Sequence, residues 1–136
     1  MLGVGFDIVD MVGFSEQLAD GASTFVEVVF TDAERGAAPE GQERRLRYFA
    51  GRFAVKEAFV KAWSSARLGR APVLGAVALR EIEILDDGFG RPLLRLHGTA
   101  RTAVADTLPP YRVHLSISHG GGYAGAVVVL EADTIG

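Results

Sequence analysis

The sequence predicts an α+β fold, in which a single domain packs one long core helix against a mainly antiparallel sheet. Three observations lead to this prediction. Apolar side chains alternate with small or acidic ones from residue 2 to residue 9, and this period of two is typical of a strand with one buried face. A helical apolar pattern extends from about residue 42 to about residue 65. Two hairpin patterns follow it and supply the antiparallel strands.

Length and composition bound the class of protein. A chain of 136 residues argues for one domain, residues 1–136, and its 49% hydrophobic and 23% charged content is that of a soluble globular protein. The absence of cysteine excludes disulfides and thiolate metal ligands. No apolar run approaches the roughly 20 residues of a membrane span, and no basic region precedes an apolar N-terminal stretch. We therefore expect a cytoplasmic protein that does not contact the membrane.

The formal charge of −3 is unevenly distributed along the chain. The first 34 residues contain seven acids and neither Lys nor Arg, whereas nine of the 14 basic residues lie between Arg35 and Arg70. This basic segment is either a solvated helix face or a surface for an anionic ligand. The chain as a whole is not basic enough to indicate nucleic-acid binding.

The N-terminal half is predicted to contain the first strand and three helices. The strand places Asp7 on the same face as two glycines, where no side chains crowd the backbone. A short helix covers residues 12–19 and ends near Gly21. The segment Thr31–Glu34 has the capping-box pattern T-x-x-E and begins a second short helix. The long helix then covers residues 42–65.

The C-terminal half is predicted to contain two hairpins and one helix between them. The first hairpin turns at Asp87-Gly88. Thr99 is expected to cap a helix that continues to about Leu108, where two prolines end it. The second hairpin turns at residues 120–122. Its first strand has two faces, one with Val113, Leu115 and Ile117 and the other with Arg112, His114, Ser116 and Ser118.

Three charged residues interrupt the apolar surface of the long helix. At 100° per residue, Lys56 lies on one side of an apolar stripe, and Glu57 and Lys61 lie on the other. A buried charge is costly unless it is paired or bound. Glu57 and Lys61 therefore form either an i,i+4 ion pair worth about 0.2–0.5 kcal/mol or part of a ligand site. The stripe consists of Phe49, Phe53 and Val60.

Asp7 also has two interpretations: a polar residue that caps the next helix, or a second carboxylate beside Glu57. Two carboxylates without thiols favour a hard cation, and Mg²⁺ suits one or two carboxylates together with substrate phosphates. His114 and Ser116 share a strand face and could hydrogen-bond a ligand, whereas His97 is expected to be structural.

Four segments together resemble one family. They are "GFDIVD", "FTDAE", "FAGRFAVKEAFVKAW" and "HLSISHGGGYAGAVVV", in that order. The chain is similar in these segments to the holo-acyl-carrier-protein synthase family of 4′-phosphopantetheinyl transferases, from Gly3 to about Glu131. The resemblance implies the fold of those transferases. It also implies an enzyme that moves 4′-phosphopantetheine from coenzyme A to a serine of an apo acyl carrier protein and releases adenosine 3′,5′-bisphosphate.

The resemblance implies a role for each matched residue. Asp7 and Glu57 would be the Mg²⁺ ligands, and Lys61 would contact the phosphates and help to deprotonate the serine. It further implies a homotrimer with sites at the subunit interfaces. The residues matched to coenzyme A are Arg44 and Arg52 at its phosphates, with Lys56 a neighbour in the same block, His114 near its pyrophosphate, Pro92 beside its adenine, and Ser116 and His119 in less defined positions.

The sequence departs from the family pattern at two places. Trp63-Ser64-Ser65-Ala66 replaces a Gly-rich turn, and the first helix lacks the basic residues that would dock an acidic carrier. Either the carrier is less acidic than usual, or it docks through the arginines Arg45, Arg47, Arg67 and Arg70. The competing interpretation is an apolar docking face that contains Val12, Phe14 and Leu18. The carrier itself could serve fatty-acid, polyketide or peptide synthesis. The alternatives to the transferase are a non-catalytic module that binds coenzyme A or a carrier, and an unrelated Mg²⁺-dependent phosphohydrolase.

Overall fold

A computed structural model describes residues 1–20, 24–71 and 78–133. The helices and strands follow the predicted order, with two additions: the short helix α2 and a 3-10 turn at Leu79–Glu81. The predicted end of the first helix near Gly21 lies outside the described residues. The helices are α1 (Met11–Ala19), α2 (Phe25–Val29), α3 (Asp32–Gly36), α4 (Gln42–Ser65) and α5 (Gly98–Thr107). The strands are β1 (Gly3–Asp10), β2 (Ile82–Asp86), β3 (Pro92–Leu96), β4 (Tyr111–Gly120) and β5 (Tyr123–Ala132).

The strands form two antiparallel sheets, so the predicted α+β class is confirmed and the single expected sheet is divided. One sheet has the order β1-β5-β4, and the other consists of the hairpin β2-β3. In the larger sheet, Asp7 lies opposite Ala126, and Val129 lies opposite both Val4 and His114. The smaller hairpin pairs Asp86 with Pro92 next to its turn.

Helix α4 packs against β1 through the glycines of that strand. A Cβ atom at Gly3 or Gly5 would overlap the carbonyl oxygens of Ala62 and Ala58, respectively. Only glycine lets the helix and strand backbones approach so closely. The face of β1 that also carries Asp7 is therefore the one covered by α4.

The opposite face of β1 is apolar and exposed. Val4, Phe6 and Ile8 have exposed fractions of 46%, 56% and 57%. The period of two predicted the strand correctly, but the alternating apolar side chains lie on the open side of the sheet. Together they form an exposed apolar surface on this chain.

The core lies between α4, the larger sheet and the short helices. Three phenylalanines, Phe14, Phe25 and Phe53, pack with ring centroids 5.5–5.6 Å apart. Burial of one such side chain contributes about 1.5–3 kcal/mol. The largest apolar side chains with almost no exposed surface are Phe30, Phe49, Val55, Phe59, Ile82, Ile84, Val104, Val128 and Leu130. Within the described residues, no helix is both long and apolar enough to cross a membrane.

The helix caps confirm one prediction and correct another. Thr31 and Glu34 form the predicted capping box at the start of α3. Thr99, however, does not cap α5, because the helix begins at Gly98 and its N-cap position, His97, lies two residues before Thr99. The backbone N–H of Ala100 instead donates to the carboxylate of Glu81. A carboxylate from another element therefore replaces the local cap that the sequence suggested.

Candidate active site

Asp7, Glu57 and Lys61 come together where β1 crosses α4. The buried glycine face of β1 directs Asp7 toward the helix, and Glu57 and Lys61 lie one turn apart on α4. The Lys61 ammonium donates to Asp7 Oδ1 at 2.8 Å and to the Phe6 carbonyl at 3.2 Å. The ion pair that Lys61 makes is therefore with Asp7, rather than with Glu57 in the i,i+4 arrangement.

The electrostatics of this cluster favour a bound cation. Burial raises the pKa of Glu57, and the negative charge of Asp7 raises it further, whereas Lys61 opposes both. The hydrogen bond to Asp7 raises the pKa of Lys61, so its ammonium is charged at neutral pH. The described residues contain no group of three or more metal-ligating side chains. Two carboxylates nevertheless fit Mg²⁺, which keeps several waters and completes its shell with substrate phosphate oxygens.

A cleft opens beside these carboxylates. It lies between β1, α1 and α4, and its walls include Asp7, Asp10, Gln17, Phe53 and Glu57. Asp10 is the N-cap of α1 and accepts from the backbone N–H of Val12, so it already has a structural partner. Asp7, which the sequence left as either a cap or a ligand, is thus free of a capping role.

A second group of predicted residues meets at the hairpin β2-β3. Arg52 lies on α4, with its guanidinium 3.6 Å from the ring centroid of Tyr48 and with Nη2 donating to Asp86 Oδ1 at 3.0 Å. Asp86 is the register partner of Pro92. Asp86 therefore links Arg52 to the strand pair that contains Pro92. Arg44 lies exposed near the start of α4, about two turns before Arg52.

Lys56 is not part of an open site, which corrects the prediction that it is one of the residues that bind coenzyme A. Its ammonium donates to Glu34 Oε1 at 2.9 Å and to the carbonyls of Leu79 and Ile82 at 3.0 and 2.5 Å. Neither Lys56 nor Glu34 has exposed surface. Burial lowers the pKa of Lys56, and Glu34 opposes that effect. All three N–H groups of the Lys56 ammonium donate to acceptors inside the protein, so Lys56 links α4 to α3 and β2.

His114 and Ser116 lie on the other side of the larger sheet. Both are on the exposed face of β4, and His114 Nε2 is 3.0 Å from Glu131 Oε2. Ser116 lines a concave surface together with Phe6 and Val127. Because Asp7 lies on the face covered by α4, the sheet separates it from His114 within one chain.

His119 and His97 have partners within the chain. His119 Nε2 lies 3.1 Å from the Arg47 carbonyl, which ties the end of β4 to α4. His97 Nε2 lies 3.0 Å from Glu83 Oε1, which agrees with the expected structural role of His97.

Tyr48, Asp86 and Glu131 were not identified from the sequence, although each contacts a predicted site residue. Only Asp86 had a local signal, because it ends a predicted strand immediately before a D-G turn. Tyr48 and Asp86 lie 4 and 34 residues from their partner Arg52, and Glu131 lies 17 residues from its partner His114.

Comparison with known proteins gives consistent results. Residues 3–128 match the 4′-phosphopantetheinyl transferase superfamily. A holo-[acyl-carrier-protein] synthase of Nocardia farcinica is 42% identical over 131 residues, which are 96% of this chain and 88% of the relative. The protein of the same name from Mycobacterium tuberculosis strain H37Rv is 40% identical over 132 residues, which are 97% of this chain and 98% of the relative.

Solved structures share the same architecture. The ACPS-CoA complex of Chronobacterium ammoniagenes has a TM-score of 0.86 and 43% identity, over 97% of this chain and 98% of that one. A holo-(acyl-carrier-protein) synthase of Bacillus anthracis, in complex with CoA (3′,5′-ADP), has a TM-score of 0.72 and 33% identity, over 97% of both chains.

Proposed function

The chain belongs to the 4′-phosphopantetheinyl transferase superfamily, and from this premise we propose that it transfers 4′-phosphopantetheine from coenzyme A to a serine of an apo acyl carrier protein. The other product would be adenosine 3′,5′-bisphosphate. The observation that carries the proposal is that Asp7 and Glu57 line one cleft and that Lys61 donates to Asp7, because these three side chains can bind a metal and a diphosphate together. We further propose that residues 1–136 form one phosphopantetheinyl transferase domain.

Asp7 and Glu57 would hold Mg²⁺ in this proposal. When bound, the metal supplies charge neutralisation and orientation of the diphosphate oxygens. The ammonium of Lys61, held by Asp7, would donate to a phosphate oxygen on which negative charge increases as the serine attacks. Because the pKa of Lys61 is raised, its protonated form is the relevant one. We therefore assign it to charge stabilisation rather than to removal of the serine proton.

Arg52 and Pro92 would bind the nucleotide end of coenzyme A. They adjoin through Asp86, and an arginine beside a proline ring offers both a phosphate contact and an apolar surface for a base. Arg44, exposed at the start of α4, would supply a further positive charge. His114 and Ser116 would contact the diphosphate from β4.

A complete site requires a second copy of the chain, and we propose a homotrimer. The supporting observation is that His114 and Ser116 lie on the opposite face of the sheet from Asp7. The exposed apolar surface formed by Val4, Phe6 and Ile8 would be covered in such an assembly. Light scattering should therefore give the mass of three chains, and Phe6→Glu should reduce both the mass and the transfer rate. An active monomer would contradict this assembly.

The carrier is proposed to be that of fatty-acid synthesis, which matches the acyl-carrier-protein synthase names of the relatives, with polyketide carriers as further substrates. The proposed location is the cytoplasm, which is consistent with a sequence that contains no cysteine. A panel of purified apo carriers, compared by the rate of modification, would rank these substrates.

One experiment tests the transfer itself. The protein is incubated with coenzyme A, Mg²⁺ and a purified apo carrier, and the intact mass of the carrier is measured. A mass gain equal to one phosphopantetheine arm supports the proposal. Coenzyme A binding with an unmodified carrier would indicate a non-catalytic binding module. Release of phosphate without transfer would indicate a phosphohydrolase, and either of these results overturns the proposal.

A further inference from the structure

Arg52 is held unusually firmly for a residue expected to bind a phosphate. Its side chain is only 10% exposed, and the ring of Tyr48 lies against one face of its guanidinium. Tyr48 is itself fixed, because its hydroxyl donates to the Glu34 carbonyl at 2.5 Å. The planar group can therefore keep its orientation without help from an anion.

The hydrogen-bonding capacity of Arg52 is nevertheless incompletely used. Nη2 of Arg52 donates to Asp86, whereas Nε of Arg52 is buried without a partner. A buried N–H without an acceptor is rare and costs free energy. The guanidinium therefore has N–H groups beyond the one that donates to the carboxylate oxygen of Asp86, and a phosphate offers more acceptor oxygens than that single contact.

In the described part of the chain, Asp86 is the carboxylate that forms an ion pair with Arg52. The Asp86 side chain is 44% exposed. It ends β2 opposite Pro92, at the edge where the nucleotide would enter. Ion pairs with one exposed partner contribute little stability, on the order of 1 kcal/mol or less. The pair can therefore open at low cost when a better anion arrives.

We propose that Asp86 sets the affinity for coenzyme A, because its carboxylate occupies the guanidinium of Arg52 until a phosphate group of coenzyme A displaces it. This inference rests on the proposed function and adds a competing acid to it. The carboxylate keeps Arg52 neutralised in the free protein and lowers its affinity for phosphate by competition and by charge repulsion. Asp86 would thus weaken binding of ligands that place a phosphate at this position and leave binding of ligands without that phosphate unchanged.

Two opposing effects of removing the Asp86 charge can be compared. Loss of the ion pair could disorder Arg52, which would weaken phosphate binding. Tyr48 and the surrounding burial, however, hold the guanidinium independently of Asp86. Removal of a negative charge a few ångströms from a phosphate strengthens binding directly. The second effect should prevail, most clearly when the replacement keeps an acceptor oxygen.

The test compares Asp86→Asn with the wild-type protein in its native assembly. The asparagine retains an acceptor for Arg52 but carries no charge. Calorimetry should give a dissociation constant for coenzyme A that is about five-fold lower in the variant, because the competing charge is absent. The kcat for transfer should change less than about two-fold, since Asp86 acts through Arg52 and does not contact the Asp7 cluster. Asp106→Asn, an exposed site on α5, is the control for net charge.

Dephospho-coenzyme A identifies the phosphate group concerned. If Asp86→Asn tightens coenzyme A but not dephospho-coenzyme A, the 3′-phosphate displaces Asp86. If it tightens both ligands equally, the diphosphate does so. Unchanged or weaker binding of coenzyme A by a folded Asp86→Asn variant overturns the proposal. If Asp86→Asn unfolds the protein, Asp86→Ser is measured in its place. Failure of the wild-type protein to bind coenzyme A would instead count against the proposed function.

Discussion

Lys56 Nζ and Glu34 Oε1 lie 2.9 Å apart, and neither side chain has any exposed surface. Glu34 also accepts from the backbone N–H groups of Thr31 and Ile84, at 2.9 Å in each case. One glutamate therefore completes the cap of α3, pairs with α4 and receives a hydrogen bond from β2. The ion pair of Lys56 with Glu34 therefore links α3, α4 and β2 in the core.

Removal of one partner of this pair should strongly destabilise the fold. Lys56→Met leaves Glu34 as a buried charge without its counter-ion, which typically costs about 3–5 kcal/mol. Urea unfolding monitored by circular dichroism measures the loss. The control is Arg47→Met on the same helix, where the exposed pair with Glu43 should contribute about 0.5 kcal/mol or less. Equal effects of the two substitutions would contradict the structural role of Lys56.

The two carboxylates at the cleft should be needed for Mg²⁺ binding and for transfer. Asp7→Asn and Glu57→Gln each preserve shape but remove a charged ligand, so transfer should fall by roughly 100-fold or more. Mg²⁺ titration of each variant, followed by calorimetry, should give weaker binding than in the wild type. Glu43→Gln, an exposed glutamate of α4, should behave as wild type. Near-normal rates at limiting Mg²⁺ in either variant would remove that residue from the metal site.

Substitution of Lys61 should affect turnover more than binding of coenzyme A. The ammonium is placed by Asp7 and is protonated, so its charge is most useful where the transition state becomes more negative. Lys61→Ala should lower kcat by about 100-fold and change the dissociation constant of coenzyme A only a few-fold. Steady-state kinetics and calorimetry separate the two quantities. An effect on binding alone would reassign Lys61 to substrate binding.

Carrier docking should depend on exposed arginines of α4. Arg45 and Arg47 are both exposed, and the side chain of Arg45 lies over the ring of Phe49. Reversal of both to Glu should raise the KM for an acidic carrier several-fold, while the KM for coenzyme A stays nearly constant. Reversal of Arg95 and Arg101, two exposed arginines on β3 and α5, is the charge-matched control.

The competing apolar docking surface is smaller than the sequence suggested. Phe14 is 4% exposed and belongs to the core, so it cannot contact a carrier, whereas Val12 is 67% exposed. If docking uses Val12 and its neighbours, the KM for the carrier should not vary with salt concentration. A flat salt profile, together with a silent reversal of Arg45 and Arg47, would exclude the arginine surface.

Glu83 should contribute to the pH dependence of stability. Burial is the largest influence on its pKa and raises it, but hydrogen bonds from Thr31 and His97 together bring the pKa below 4.5. A carboxyl with a lowered pKa in the folded state stabilises the protein above about pH 4.5, and this contribution is lost as the pH falls through the folded pKa. Glu83→Gln should therefore flatten the decrease in unfolding free energy between about pH 6 and about pH 3. The control is Glu16→Gln, because Glu16 is exposed on α1 and should not affect the decrease in unfolding free energy.

The sequence by itself determined the features that depend on neighbouring residues. The bounds of α4, the capping box at Thr31 and the second hairpin were all predicted, because caps, turns and helical periods involve residues a few positions apart. The turn of that hairpin is shorter than predicted, since Gly120 is the last residue of β4 and pairs with Tyr123. The family motifs likewise predicted that Asp7, Glu57 and Lys61 lie close together, and Lys61 does donate to Asp7.

The tertiary structure decided which surfaces and partners these local features received. A period of two cannot state which face of β1 another element will cover, and the backbone contact of α4 with Gly3 selected the glycine face. Lys56 and Lys61 are both lysines of one helix. Lys56 is buried because its counter-ion, Glu34, lies 22 residues away in the sequence but next to it in the core. Lys61 is bound instead by Asp7 of β1, which lies 54 residues away in the sequence. Long-range pairing of this kind depends on how the chain packs, which no local pattern encodes.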